Sequence, residues 1–348
     1  MKKKIVEHRF FTDNELINKL RNEGLKITNE LDLISYFESY NYQNVVNRYR
    51  KPFLINDYYK EYLPNANSQM IIDLFNFNRS MSRVIIDDLH SIEMRLSTAI
   101  SLELMQIISK LHPGRTAFSA LSNEERKQIF KWKKTKRINE ISKYLQNNFE
   151  RMKDEQDYIN DSWKTWEEVP LYSLPLLWTF GIAIKLFIYL NDEIKQRIIV
   201  KYFSFLKNLE LKTFISLLYC FSELRNKTSH NEPIYKYKFE ISKIAHKITL
   251  TYLDLNQQET AKLIKNDILK FCDDNFYYND NVKLFWIIKL IAKITNNPKL
   301  VNLFKQKVKK LQLDIAGCFI RNEATNKVFL PCLTAWQNIC NFLGYDED

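Results

Sequence analysis

Apolar residues recur at three- and four-residue spacing along most of the chain. In IIDDLHSIEMRLSTAISLELMQIISKL, residues 85–111, Ile85, Leu89, Ile92, Leu96, Ile100 and Leu104 share one face, and Pro113-Gly114 closes the segment. The same spacing predicts further helices over 13–24, 29–40, 123–149, 175–190, 193–207, 210–230, 237–254, 258–272, 282–295 and 298–312. No stretch sustains period-two alternation, and Asn-Gly and Asp-Gly turns are absent, so hairpins find little support. The expected fold class is all-α.

Periodicity breaks near 55–65, at LINDYYKEYLPNANSQ, and again near 255, at LNQQE. These are the candidate borders, giving an N-terminal helical segment over 1–60, a central helical domain over 61–255 and a C-terminal helical region over 256–348. The most apolar run, LYSLPLLWTFGIAIKLFIYL at 171–190, has the length of a membrane span but is interrupted by Pro175 and Lys185. It reads as a buried core helix, with no membrane role.

At 348 residues and 45% hydrophobic content the chain can bury a sizeable core, and its net charge of +11 favours an anionic partner, nucleic acid being the commonest. Five cysteines without a CxxC pair, and without histidine at ligand spacing, argue against a disulfide framework or a zinc site and for a reducing cytoplasm. MKKKIVEHRFFTDNE lacks an apolar core of signal-peptide length, so export is not expected. GxxxxGK[ST], GxGxxG, GxSxG and HExxH are all missing, which removes the usual grounds for P-loop, dinucleotide, serine-hydrolase and zincin chemistry. No cofactor is called for.

The stretch SELRNKTSHNEPIY, 222–235, follows the apolar run FISLLYCF. On a helix over 210–230, Asn226 and His230 lie one turn apart on one face. Arg225 stands about 7.5 Å from His230 along the axis and about 140° round it, within reach of a shared anion at the helix end. Pro233 disfavours helix at Glu232 and ends the segment. Such residues suit RNA cleavage in which the ribose 2′-OH attacks the adjacent phosphate: His230 moves protons near neutral pH, Arg225 holds the phosphorane oxygens, and Asn226 orients the imidazole or a ribose hydroxyl. The same pattern also fits a plain helix end, with His230 as a C-terminal cap and Arg225 and Asn226 as solvated surface. Arg83 and His90 in RVIIDDLH form a looser Arg–His pair, without the Asn and the terminating Pro, and read as helix surface.

At RNKTSHNEPIY the chain resembles the Abi-like (AbiD/AbiF) abortive-infection family, whose helical nuclease domain belongs to the HEPN superfamily. Arg225, Asn226 and His230 match the family's Arg, polar, variable, His order. ISYFESYNYQNVVNRYRKPF (34–53) resembles its Tyr-rich segment, FNFNRSMSRVIIDDLHSIEMRLSTAI (75–100) its helix with a Glu-x-x-Arg-like pattern, here Glu93 and Arg95, and PLLWTFG (175–181) its Pro-x-x-Trp segment. The resemblance implies a HEPN-type bundle with helical extensions at both ends. It also implies a metal-independent endoribonuclease toxin of phage defence, restrained by a small noncoding RNA. HEPN sites pair two Arg–His motifs and this chain has one matching copy, so a homodimer is implied. Glu93, Glu223 and Tyr235 are supporting candidates beside the three catalytic ones.

For RNA contact, FKWKKTKR interleaves Phe130 and Trp132 with Lys131, Lys133, Lys134, Lys136 and Arg137, a pattern that suits phosphate contact with base stacking and equally an amphipathic helix. Lys236 and Lys238 follow the motif closely enough to hold RNA on its way to His230. A competing class is a catalytically silent RNA-binding protein of the same fold. A DNA-binding regulator would need a recognition helix after a short turn, and none stands out.

Overall fold

One long helix organises the molecule. In a computed structural model, which describes residues 11–55, 60–130, 135–155, 163–251, 258–259, 261–264, 266, 281–316, 320–322, 327–329 and 333–343, helix α3 runs from Ser68 to Leu111, 44 residues. At 1.5 Å per residue it spans about 66 Å. It begins where the Asn67 side chain accepts a hydrogen bond from the Met70 amide. The periodicity places its start near 85, one and a half dozen residues late, because the first turns carry no single stripe: Ile71, Ile72, Leu74, Phe75 and Phe77 are all buried. A helix covered from several sides loses the amphipathic signature.

Around α3 the described residues form α1 (Asp13–Asn22), α2 (Glu30–Tyr40), α4 (Asn123–Ile129), α5 (Thr135–Glu155), α6 (Phe180–Tyr189), α7 (Asp192–Tyr202), α8 (Leu211–Ser229), α9 (Ile241–Thr251), α10 (Leu284–Thr295), α11 (Lys299–Ala316) and α12 (Leu333–Leu343). Two short antiparallel strand pairs join them, Lys238–Glu240 with Asn281–Lys283 and Ile320–Asn322 with Lys327–Phe329. The fold class is all-α, as the periodicity predicts. Helices α6, α7, α8, α10 and α11 pack on α3. Among the described residues no helix is long and apolar enough to cross a membrane; the run at 171–190 folds as a 3₁₀ turn at Leu174–Leu177, containing Pro175, followed by the buried α6.

The helix expected over 123–149 is broken. Ile129 ends α4 and Phe130 turns extended, with its ring beside Phe118. Asn191 then bridges to this point, donating its backbone N–H to the Ile129 carbonyl at 2.9 Å and its side-chain amide to the Gln128 carbonyl at 2.8 Å. These carbonyls would otherwise continue a helix, so a tertiary contact overrides local propensity. A helix over 258–272 falls largely outside the described residues, and α12 is one that the periodicity did not predict.

The N- and C-terminal segments share a continuous hydrophobic cluster with the centre. Asn297 Nδ2 donates to the Asp88 carboxylate at 3.1 Å, and Arg95 Nη1 donates to the Ile294 carbonyl at 3.2 Å, where α10 ends on a left-handed Asn296. Asn338 of α12 donates to the Pro52 carbonyl at 3.0 Å. Since Leu96 lies fully buried midway along α3, Leu96→Ala is expected to destabilise the chain by about 2–5 kcal/mol in urea unfolding followed by circular dichroism. A loss under about 1 kcal/mol would show that α3 is not the spine of the core.

Candidate functional site

Helix α8 carries two kinds of residue in succession. Its first four turns bury Phe214, Ile215, Leu217, Leu218, Phe221 and Leu224 against α3, α6 and α9. Its last turn is polar. The end has the form of a Schellman motif: Asn231 is left-handed (φ 51), the Glu232 N–H donates to the Lys227 carbonyl at 2.8 Å, and the Asn231 N–H donates to the Thr228 carbonyl at 3.2 Å. Asn is one of the few residues that accept this conformation without a large penalty. Thus the helix stops at Ser229, with His230 as its cap, and Pro233 follows.

The motif residues divide between two sides of this end. Arg225 turns toward α3, where its Nε lies 3.3 Å from the Glu93 carboxylate. Glu93 is 8% exposed, whereas the Arg225 side chain keeps 30% of its surface in solvent, so the carboxylate is the buried partner of the pair. The Arg225 Nε is itself buried and not aligned for a hydrogen bond, which makes the contact an ion pair in character. Its Nη1 donates to the Asn226 side-chain oxygen at 3.4 Å. Asn226 and His230 are exposed, and the His230 ring makes no hydrogen bond or ion pair among the described residues. The structure therefore joins Glu93, Arg225 and Asn226, and leaves the His230 imidazole open to solvent beyond them.

What fixes the position of His230 is a residue that the sequence did not single out. Asn78 of α3 is fully buried. Its Oδ1 accepts from the backbone N–H of Ile234 at 2.7 Å and of Tyr235 at 3.1 Å, and its Nδ2 donates to the Glu232 carbonyl at 3.2 Å. One side chain thus satisfies three backbone groups of the turn that follows His230. The neighbours of Asn78 in sequence, Asn76, Arg79 and Ser80, are polar too, so nothing in the local sequence sets it apart.

The supporting candidates fare differently. Glu93 stands in the site. Tyr235 is fully buried, stacked on Tyr49, and donates its hydroxyl to the Arg48 carbonyl at 3.3 Å, so it anchors the turn and presents nothing to a ligand. Glu223 lies near the buried Tyr237 and Cys220; burial, above all, pushes both of their acid groups well above their ordinary values. Arg95 is committed to the end of α10. Arg83 and His90 lie exposed on α3, as expected of a helix surface.

Of the expected RNA contacts, Lys236 and Lys238 are exposed just past the turn, with Lys238 4.0 Å from Glu240. Lys131, Trp132, Lys133 and Lys134 lie outside the described residues; Lys136 and Arg137 fall on α5, where their side chains are likewise outside the description. Phe130 is half-buried against the core.

A model of the Abi-like protein family matches residues 35–236, more than half of the chain. The chain belongs to the Abi-like family. That membership points to abortive infection, a form of phage defence. The matched span begins in α2 and ends just past the α8 cap, so it takes in Asn78, Glu93, Arg225, Asn226 and His230. Neither the curated proteins nor the solved structures offer a match.

Asn78→Ala would strip partners from two amides and a carbonyl in this buried turn. It is expected to cost about 1–3 kcal/mol in denaturant unfolding and to speed hydrogen exchange at the Ile234 and Tyr235 amides. Unchanged exchange there would show that Asn78 does not hold the turn.

Proposed function

We propose that this Abi-like protein is a HEPN-type endoribonuclease that cuts RNA without a metal cofactor and acts as a toxin of phage defence. The observation that carries the reading is the α8 end itself: an exposed histidine on a rigid cap, with Arg225 placed by a buried carboxylate one turn before it. The nucleophile is the ribose 2′-OH, so the substrate is RNA and no protein nucleophile is needed. His230 takes the 2′-OH proton, or gives a proton to the departing 5′ oxygen. The phosphorus–oxygen bond to the 2′ oxygen forms as that to the 5′ oxygen breaks, leaving a 2′,3′-cyclic phosphate and a free 5′-OH. Arg225 supplies fixed positive charge to the phosphorane oxygens.

Arg225 and His230 stand about 140° apart around the helix axis, so one α8 end offers the acid–base group and the arginine on different sides. Two copies facing each other across a twofold axis would let the arginine of one serve with the histidine of the other, which supports a homodimer. The net charge of +11 supports RNA association, and the likeness to the Abi-like family supports a small noncoding RNA as the restraining partner. The reading places the protein in the cytoplasm, where such RNA is found.

Purification under native conditions, with sequencing of any copurified RNA, tests the partner. Cleavage by the RNA-free protein in EDTA tests the chemistry. His230→Ala is expected to lower the cleavage rate by about 10²–10⁴-fold with RNA binding largely kept. Equal cutting by wild type and His230→Ala would contradict the reading, and binding without cutting by either would make the protein a silent RNA binder of this fold.

A further inference from the structure

Beside His230 the turn presents a carboxylate among cations. The backbone of Glu232 is held on both sides, its N–H by the Lys227 carbonyl at 2.8 Å and its carbonyl by Asn78 at 3.2 Å. Its side chain meets the Lys227 Nζ at 2.9 Å. Arg48 approaches from the segment before α3: its carbonyl accepts the Tyr235 hydroxyl, and the neighbouring Tyr49 ring stacks on Tyr235 at 5.6 Å. The half-buried Arg48 side chain has no ion-pair or hydrogen-bond partner among the described residues. Lys227, foremost through its hydrogen bond, holds the Glu232 carboxyl below its usual range, with Arg48 and His230 adding to the effect. So Glu232 stays anionic at neutral pH, paired with Lys227, with Arg48 and His230 close enough to act on its charge.

An anion paired with a lysine, two residues from a histidine and beside the segment that carries Arg48, is in the place that a phosphate would take. We propose that Arg48, Lys227 and His230 form a phosphate-binding cluster at the end of α8, and that the Glu232 carboxylate fills it until a backbone phosphate of single-stranded RNA displaces it. This rests on the ribonuclease reading and deepens it. The Lys227–Glu232 pair is partly exposed, with 29% and 42% of the two side chains in solvent, so its opening costs little compared with a buried pair. A phosphate entering there would lie against His230, and the carboxylate it displaces would turn to solvent. Glu232 then acts as a brake on RNA entry, and Arg48 and Lys227 as positioning residues for the strand.

The test uses the full chain and a fluorescein-labelled 2′-O-methyl oligoribonucleotide, which keeps the phosphates but has no attackable 2′-OH. Anisotropy is read across a salt series. Glu232→Gln is expected to tighten binding several-fold. Arg48→Gln and Lys227→Gln are each expected to weaken it and to lower the salt slope by about 0.7. Circular dichroism melting of each variant separates these effects from loss of fold. Wild-type affinity and slope in folded Arg48→Gln and Lys227→Gln, or no tightening in Glu232→Gln, would overturn the cluster, as would failure of wild type and Glu232→Gln alike to bind. Cleavage of an unmodified oligoribonucleotide, run in parallel against His230→Ala, keeps the two readings apart. His-dependent cutting with unaltered variants fails the cluster alone, and the expected binding changes without cutting fail the nuclease alone.

Discussion

Two polar side chains inside the long α3 helix hold the motif segment in place. Asn78 takes up the backbone of the turn after His230, and Glu93 faces the Arg225 guanidinium. Both are buried, at 0% and 8% exposure, and a buried polar group is tolerated only with its partners present. The dependence runs both ways: if α8 ended elsewhere, Asn78 would lose three hydrogen bonds and Glu93 its counter-charge. Register between α3 and α8 is thereby specified by polar matching as well as by the apolar packing of Phe214, Leu217 and Phe221.

This arrangement leaves a rigid frame with an exposed polar edge. The Schellman cap closes the last carbonyls of α8 internally, and among the described residues the imidazole of His230 makes no hydrogen bond or ion pair. The C-terminal helices contribute by bracing the far side of α3 through Asp88 and Arg95, well along the helix from Asn78. Arg95 illustrates how a residue two positions from a site residue can belong to another task. Residues 93 and 95 point about 200° apart on a helix, so only one of them can face α8.

Much of this was legible in the chain. The all-α class follows from the spacing of apolar residues, and the α8 end was marked by a polar stretch after FISLLYCF with Pro233 beyond it. Arg225, Asn226 and His230 could be named because their types and order carry chemistry. Asn78 could not, since its role is to satisfy backbone groups more than 150 residues away in sequence, and nothing local announces such a partner. Arg48 is of the same kind, its segment brought to the turn after α8 by the stacking of Tyr49 on Tyr235. The start of α3 was missed because burial on several sides erases the amphipathic stripe, and the break after Ile129 because Asn191 takes the backbone groups that a continuing helix would use.

The most direct test of the central claim is the chemistry of the RNA ends. A 5′-labelled oligoribonucleotide cut by the wild-type protein in EDTA, with products resolved by mass spectrometry, should carry a 2′,3′-cyclic phosphate on one fragment and a free 5′-OH on the other. Fragments with a 3′-OH and a 5′-phosphate would mean that water, and not the ribose, is the nucleophile, and would contradict the role given to His230.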